Sequence, residues 1–319
     1  MTPQARSVAG MQRLGSAPSW LLAGVAFASV LALLAPLGWP FELFAHFRVQ
    51  YAAAALLLAG LLGWQRRAAP TVLALVLAGW HALPGAQMLL AATPTTGCAG
   101  PVVTVAAANV LYSNSQREPL LDWLETRPAD IVILQEVTEA WARDIAARTA
   151  YPNRHLLPRE DAYGIGVLSR WPLESVSLVD LAGDGLPSIA GVALVGTQRV
   201  RFLGMHTRWP VVPSLARLRD EALHGAADLA QATDLPMVML GDLNVTPDSP
   251  AFERLLHGSA LRDALAGREW RPTWQADFWP LALRIDHILV SPGVCVEQAS
   301  VGPPVGSDHL PVLARLRLP

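Results

Sequence analysis

The segment LPMVMLGDLN, residues 235–244, is an apolar run closed by an acid and an amide. An apolar run bounded by polar residues reads as a buried strand. A carboxylate at the end of such a strand costs free energy unless it is paired or bound to a cation. Alone, Asp242 with Asn244 would be a local oddity, or an Asx turn before TPDSP. The same pattern recurs through the second part of the chain. VVTVAAANV (102–110) carries Asn109 at its end, IVILQEV (131–137) carries Glu136, and VRFLGMHT (200–207) carries His206. Asp286 and His287 lie in LRIDHILVS (283–291), and Asp308 precedes the closing run that begins at His309. Six such segments point to one convergent site rather than to six accidents.

Helical patterns lie between the strands. Leu120, Leu121 and Leu124 form one stripe that stops at Pro128. Thr138 is the expected N-cap of TEAWARDIAARTA. Residues 213–233 are amphipathic, with Leu215, Leu218, Ala222 and Leu229 on one face. Roughly ten strands and four or five helices, with buried strands in the middle, predict an α/β fold whose sheets are covered on both faces.

The first 92 residues differ. The chain is 52% hydrophobic and 16% charged, against about 25% charged in a soluble protein, and the apolar excess sits there. Three apolar runs, the third uncharged unless His81 protonates, predict a membrane anchor over 1–92, with spans at about 19–38, 49–65 and 70–92. A cleaved signal peptide accounts for one such run but not for three. Arg6, Arg13, Arg66 and Arg67 flank these runs on one side, which places the N-terminus in the cytoplasm. Three spans then put everything beyond residue 92 outside the cytoplasmic membrane. A polar linker, 93–101, leads to a catalytic domain over 102–319.

Residues 93–319 carry 19 Arg, no Lys and 25 Asp plus Glu, a net charge of −6. A nucleic-acid binder ordinarily shows a basic footprint, so nucleic acid is an unlikely partner. The two cysteines, Cys98 and Cys295, both fall in this part. An oxidising compartment permits a bridge between them; two buried thiols are the alternative.

The strand-end residue types suit phosphoryl chemistry. Oxygen donors such as Glu and Asn suit Mg²⁺, with Mn²⁺ as the alternative. Histidine and Asn can hold phosphate oxygens, and an Asp can orient water. The chain has no GxxxxGK[ST] loop, no GxSxG elbow and no zinc-spaced Cys/His cluster.

The ordered set NV (109–110), LQEV (134–137), GIGVLSRWPL (164–173), HT (206–207), GDLN (241–244), RIDHILVS (284–291) and GSDHLPV (306–312) resembles the endonuclease/exonuclease/phosphatase superfamily, the DNase I-like group. The likeness covers about residues 102–319, and the preceding runs are similar to a membrane-anchored bacterial subgroup associated with glycopeptide resistance and lipid pyrophosphate hydrolysis. The resemblance implies a four-layer α/β sandwich. It implies Glu136 as the main metal ligand, aided by Asn109 and Asp308. Asp242 would orient or deprotonate water, Asn244 and His206 would contact the phosphate, and His309 would stabilise the developing charge with Asp286 fixing its tautomer. Some nucleases carry an acid where this chain has Leu111.

His287 points away from Asp286 on a strand and is expected to be structural. His155, His224 and His257 are expected at the surface. REWRPTWQADFWPL (268–281) is either a packed loop or an aromatic rim. The expected function is hydrolysis of a phosphate ester or pyrophosphate, with a lipid-linked phosphate as the candidate substrate and no protein partner implied. The alternatives are an extracytoplasmic nuclease and a catalytically silent binding module.

Overall fold

The computed structural model describes residues 3–91, 97–126, 129–275 and 277–319, with side chains from residue 17 onward. The chain forms two units, Met1–Met88 and Leu89–Pro319. The first holds α1 (Pro3–Leu33), α2 (Glu42–Ala45), α3 (Arg48–Trp64) and most of α4 (Ala68–Leu90). The predicted span 19–38 is α-helical only to Leu33. Pro36 has no N–H to continue the ladder, and the chain makes one 3₁₀ turn, Ala35–Leu37, before Gly38 turns it at φ 87°. The second and third predicted spans coincide with α3 and α4, residue 92 lying outside the described residues.

Among the described residues one helix, Ala68–Leu90, is long and apolar enough to cross a membrane by length and composition. The apolar segments Ala17–Leu33 and Arg48–Trp64 are shorter. The expectation of three full-length spans is therefore corrected to one full-length helix and two shorter ones. The unit is apolar outside and partly polar inside. Trp20, Phe27, Leu57, Trp64 and Val76 are exposed. Ser29 Oγ and His81 Nε2 meet 2.8 Å apart in the interior.

The second unit contains β1 (Val102–Asn109), α5 (Glu118–Thr126), β2 (Ile131–Gln135), α6 (Glu139–Arg148), β3 (Asn153–Leu157), β4 (Ile165–Ser169), β5 (Leu173–Asp180) and β6 (Pro187–Val195). It continues with β7 (Gln198–His206), α7 (Pro213–Gln231), β8 (Met237–Asp242), α8 (Pro250–Ser259), β9 (Arg262–Asp263), β10 (Asp286–Val290), β11 (Cys295–Val301) and β12 (Val312–Arg317). Two six-stranded sheets result, ordered β11-β12-β1-β2-β4-β3 and β5-β6-β7-β8-β10-β9.

The period-two alternation of side chains explains the layering. Ile131 and Ile133 of β2 and Val238 and Leu240 of β8 lie in the core between the sheets. Val132 and Leu134 turn outward onto Leu120, Leu124, Trp141 and Ile145 of α5 and α6. Met237 and Met239 turn outward onto Leu223, Phe252 and Leu255 of α7 and α8. Helix, sheet, sheet, helix is the four-layer α/β sandwich expected. Thr138 caps α6 by accepting from Trp141 N at 3.4 Å. A disulfide, Cys98–Cys295, with Cα atoms 5.9 Å apart, ties the segment ahead of β1 to β11.

Candidate active site

Strand register brings the polar strand ends to one edge. β1 and β2 run parallel with Asn109 opposite Gln135, which sets Glu136 just beyond. β7 and β8 run parallel with His206 opposite Asp242. β10 is antiparallel to β8, so its first residue, Asp286, faces Asp242. β12 is antiparallel to β1, so the segment leading into it carries His309 to the same edge.

Asn109 Nδ2 is the hub. It donates to Glu136 Oε1 at 2.9 Å and to Asp242 Oδ2 at 3.2 Å, with His309 Nε2 at 3.5 Å. Tyr112 N donates to Glu136 Oε2 at 2.9 Å. Leu111 N donates to Asn109 Oδ1 at 3.0 Å, so the position that is acidic in some nucleases contributes only backbone here. His309 Nδ1 and Asp286 Oδ2 are 2.9 Å apart. His206 Nε2 lies 3.4 Å from Asp242 Oδ2. Asn244 N donates to Asp242 Oδ1 at 2.9 Å, and Asn244 Nδ2 donates to the Thr207 carbonyl at 3.0 Å.

The backbone is unusual at these positions. Glu136, Asn244 and Leu111 all have positive φ, at 63°, 47° and 59°. Non-glycine residues in this region cluster at functional sites, where surrounding contacts hold them. Gly241, at φ 140°, has no room for a side chain, since a Cβ would fall 2.0 Å from the Met205 carbonyl. That close approach is what lets GDLN follow β7.

Charge accumulates in a dry place. Glu136, Asp242 and Asp286 are 8%, 1% and 0% exposed. Burial pushes Asp242 up to about 7, with Asp286 adding to the rise and His309 opposing it. Burial works against a charged His309, but the Asp286 and Asp242 carboxylates outweigh it and push the imidazole up to about 10. Burial alone would raise Asp286, yet the His309 charge and hydrogen bond hold it below the usual carboxylate range. Burial lowers His206 and favours its neutral form.

The donor set fits a divalent cation. Three nearly dry carboxylates lie beside a single charged imidazole, and the Glu136 carboxylate is a hard donor; Asn109 turns its amide nitrogen to Glu136 and its oxygen to Leu111 N, so its side-chain amide would have to flip to offer the oxygen to a cation. Ligand atoms of Asp242, Asp286 and His309 also lie within 4.8 Å of one another, with His309 Nδ1 on Asp286 and Nε2 toward Asp242. Asp308 is placed differently from Glu136 and Asn109: its Oδ2 accepts from Trp274 Nε1 at 3.0 Å. Neighbours on an extended segment point to opposite sides, so His309 turns inward and Asp308 toward the 270–283 loop.

His287 is a core residue, its Nε2 2.8 Å from the Val245 carbonyl and its ring 4.5 Å from Phe252. The aromatic loop is partly packed and partly exposed. Trp274 packs on Asp308, while Trp270, Phe278 and Trp279 are exposed. Several supporting residues were not among those singled out in the sequence. Ser307 Oγ donates to the Asn109 carbonyl at 2.8 Å. Thr273 Oγ1 accepts from Asp286 N at 3.1 Å. Arg219, 0% exposed, donates to the Asn244 carbonyl at 3.3 Å. Arg219 had a signal, a cation on the buried stripe of α7 between Ala216 and Ala222.

Oxygen donors, a buried acid and an oriented imidazole serve transfer of a phosphoryl group to water better than acyl or redox chemistry. A sequence profile of the Endonuclease/Exonuclease/phosphatase family matches residues 106–309. The chain belongs to that family, whose members are hydrolases of phosphoester bonds. No curated protein matches the chain. Among solved structures, humanized D. rerio TDP2 is similar at 15% identity and a TM-score of 0.57, over 67% of this chain and 98% of that one. A Bacteroides vulgatus endonuclease/exonuclease/phosphatase is similar at 21% identity and a TM-score of 0.56, over 68% and 99%. A variant of the Neisseria 3' phosphatase NExo, bound to a product DNA hairpin, is similar at 21% identity and a TM-score of 0.56, over 66% and 98%. These likenesses concern the fold.

Proposed function

We propose that this chain is a membrane-anchored, Mg²⁺-dependent hydrolase of a phosphate ester or pyrophosphate, with its catalytic unit outside the cytoplasmic membrane and a lipid-linked phosphate as its substrate. The carrying observation is the convergence of Asn109, Glu136, Asp242 and the Asp286–His309 pair at one edge of the two sheets. Glu136 and Asn109, with Asp308 at the margin, would hold the cation, Mn²⁺ being the alternative. A bound divalent cation supplies charge neutralisation at the phosphoryl oxygens. Asp242, poised near neutrality, orients the attacking water and takes its proton. Asn244 and His206 contact the phosphate oxygens. His309, held charged by Asp286, faces the negative charge that grows on the phosphoryl group.

The anchor reading is supported by α4, long and apolar enough to cross a bilayer, and by the apolar outer surface of α1, α3 and α4. Arg6 and Arg13, ahead of the apolar segment Ala17–Leu33, and Arg66 and Arg67, between α3 and α4, favour a cytoplasmic N-terminus. The Cys98–Cys295 bridge favours an oxidising compartment for the catalytic unit. A second reading, an extracytoplasmic nuclease, draws on the DNA-bound NExo relative; the net charge of −6 over residues 93–319 counts against it.

The test is a Mg²⁺-dependent hydrolysis screen of the purified full chain against a polyprenyl pyrophosphate, phospholipids and single-stranded DNA. Turnover of a lipid-linked phosphate is expected. Cleavage of DNA alone at physiological salt would favour the nuclease, and silence across the panel would favour a binding module.

A further inference from the structure

The exposed apolar side chains of the second unit are not scattered. Among its described residues, every exposed large apolar side chain except Leu178 of β5 lies in one of three segments. Tyr112 follows β1, Trp209 and Val212 follow β7, and Trp270, Phe278 and Trp279 precede β10. Each segment leaves or enters its strand at the edge that carries the cluster. Tyr112 N donates to Glu136 Oε2 at 2.9 Å. Trp209 is three residues beyond His206. The third segment is pinned beside His309, where Trp274 Nε1 donates to Asp308 Oδ2 at 3.0 Å and Gln275 N donates to the Asp308 carbonyl at 3.0 Å. From there it turns tightly, Phe278 N donating to the Gln275 carbonyl and Leu281 N to the Phe278 carbonyl, each at 2.9 Å.

Single exposed apolar residues need no explanation, but a group of them around one mouth does. Indole and phenol rings favour the boundary between lipid and water, because one part is apolar and another can hydrogen-bond. The charged residues of 268–281 are Arg268, Glu269, Arg271 and Asp277, so the loop carries no net charge. Ring insertion, not attraction to anionic headgroups, is what it offers a membrane. The same chain brings a bilayer within reach. α4 is long and apolar enough to cross one. Eleven residues, 91–101, join α4 to β1, a tether of at most about 40 Å. A tethered surface meets its partner at high effective concentration.

We propose that this rim is a membrane-docking surface. Trp209, Trp270, Phe278 and Trp279 enter the bilayer that holds α4, and the mouth of the site faces lipid. The inference rests on the membrane-anchored reading and does not depend on which bond is hydrolysed. Apolar groups docked in this way lie about 5–10 Å deep, at the boundary of headgroups and acyl chains.

The experiment reads bimane fluorescence of the full chain in phosphatidylcholine vesicles, with and without phosphatidylcholine carrying a doxyl quencher near its headgroup. The native cysteines are bridged, so Leu75→Cys, Leu178→Cys, Trp209→Cys and Phe278→Cys each offer one thiol for the label. Leu75 is an exposed residue of α4, and Leu178 is exposed outside the three segments. Quenching is expected in the Leu75, Trp209 and Phe278 variants and not in the Leu178 variant. Adding Trp270→Ser and Trp279→Ser to Trp209→Cys is expected to lower its quenching by about threefold or more, because less apolar area is left to insert. Quenching in the Leu75 variant with none in the Trp209 and Phe278 variants overturns the proposal and leaves the anchor standing. No quenching in the Leu75 variant removes the anchor reading, and the proposal with it. Equal quenching in the Leu178 variant overturns it as well, since the contact would not be confined to the rim. A blue shift in the Trp209 and Phe278 variants that grows with protein density and ignores the doxyl lipid points to a second copy of the chain and also overturns it.

Discussion

At the scale of the residue, the proposed mechanism turns on the Asp286–His309 pair and Asp242. Asp242 must be deprotonated to take a proton from water, and His309 must be protonated to face the phosphoryl charge. Activity should therefore rise as pH climbs through the Asp242 value of about 7 and fall as pH approaches the His309 value of about 10. These values belong to the coupled group rather than to either residue alone. Asp286 raises His309, so Asp286→Asn should move the falling limb to lower pH and cut the rate by roughly ten- to a hundredfold. A pH–rate profile of both proteins checks this; an unmoved upper limb would contradict the pairing. The strand-end acids and amides were legible in the sequence because a polar side chain closing an apolar strand demands a partner. Ser307, Thr273 and Trp274 were not, because each gains its meaning from a contact with a distant segment. Asp308 was legible as part of the site, but only the structure shows that its carboxylate turns to Trp274.

At the scale of the element, two local devices position the site. Gly241 lets β8 run against β7 at φ 140°. Gly241→Ala should destabilise the protein by about 2 kcal/mol or more, because a Cβ there meets backbone rather than a movable side chain. Thermal unfolding in detergent reads this directly, and an unchanged midpoint would mean the strands can part. The second device is the buried ion pair of Asp263 in β9 with Arg284, just ahead of β10, which are 6% and 5% exposed in their side chains. Burial would raise Asp263, but the Arg284 charge outweighs it and holds the carboxyl below its ordinary range. The folded value is depressed, so the pair stabilises the fold above the unfolded value of about 4 and loses that contribution as pH falls through the folded value. Asp263→Asn should cost about 3 kcal/mol or more at pH 7. The difference from wild type should shrink in acid; a gap that stays constant to about pH 2, well below the unfolded carboxyl value, would contradict the assignment. The buried strands were readable as apolar runs. β5 was harder, because LESVSLVD lies at a sheet edge and leaves much of itself in solvent. In α7 the amphipathic face was assigned to Leu215, Leu218, Ala222 and Leu229; Ala222 is on the buried stripe, which otherwise runs through Ala216, Arg219, Leu223 and Ala226, and Leu229 packs at its edge.

At the scale of the whole molecule, a covalent cross-link and an apolar N-terminal unit frame the catalytic sandwich. The Cys98–Cys295 bridge spans 197 residues of sequence. Reducing it releases a long loop in the unfolded chain, which should cost about 2–5 kcal/mol of stability. Thermal unfolding with and without reductant checks the loss, and identical midpoints in the Cys295→Ala variant would show the bridge to be dispensable. The composition of residues 1–92 made an apolar helical unit legible, but not the lengths of its helices. Pro36 and Gly38 end the first one early, and hydropathy alone does not reveal that.

The central claim is that the edge-of-sheet cluster is a metal-assisted phosphoryl hydrolysis site. The most direct measurement is the Mg²⁺-dependent hydrolysis rate of a lipid-linked pyrophosphate by wild type, Glu136→Ala and His309→Ala, with and without EDTA. The predicted result is turnover that EDTA abolishes and that each substitution lowers by about a hundredfold or more. Wild-type rates in both variants, or turnover indifferent to EDTA, would contradict it.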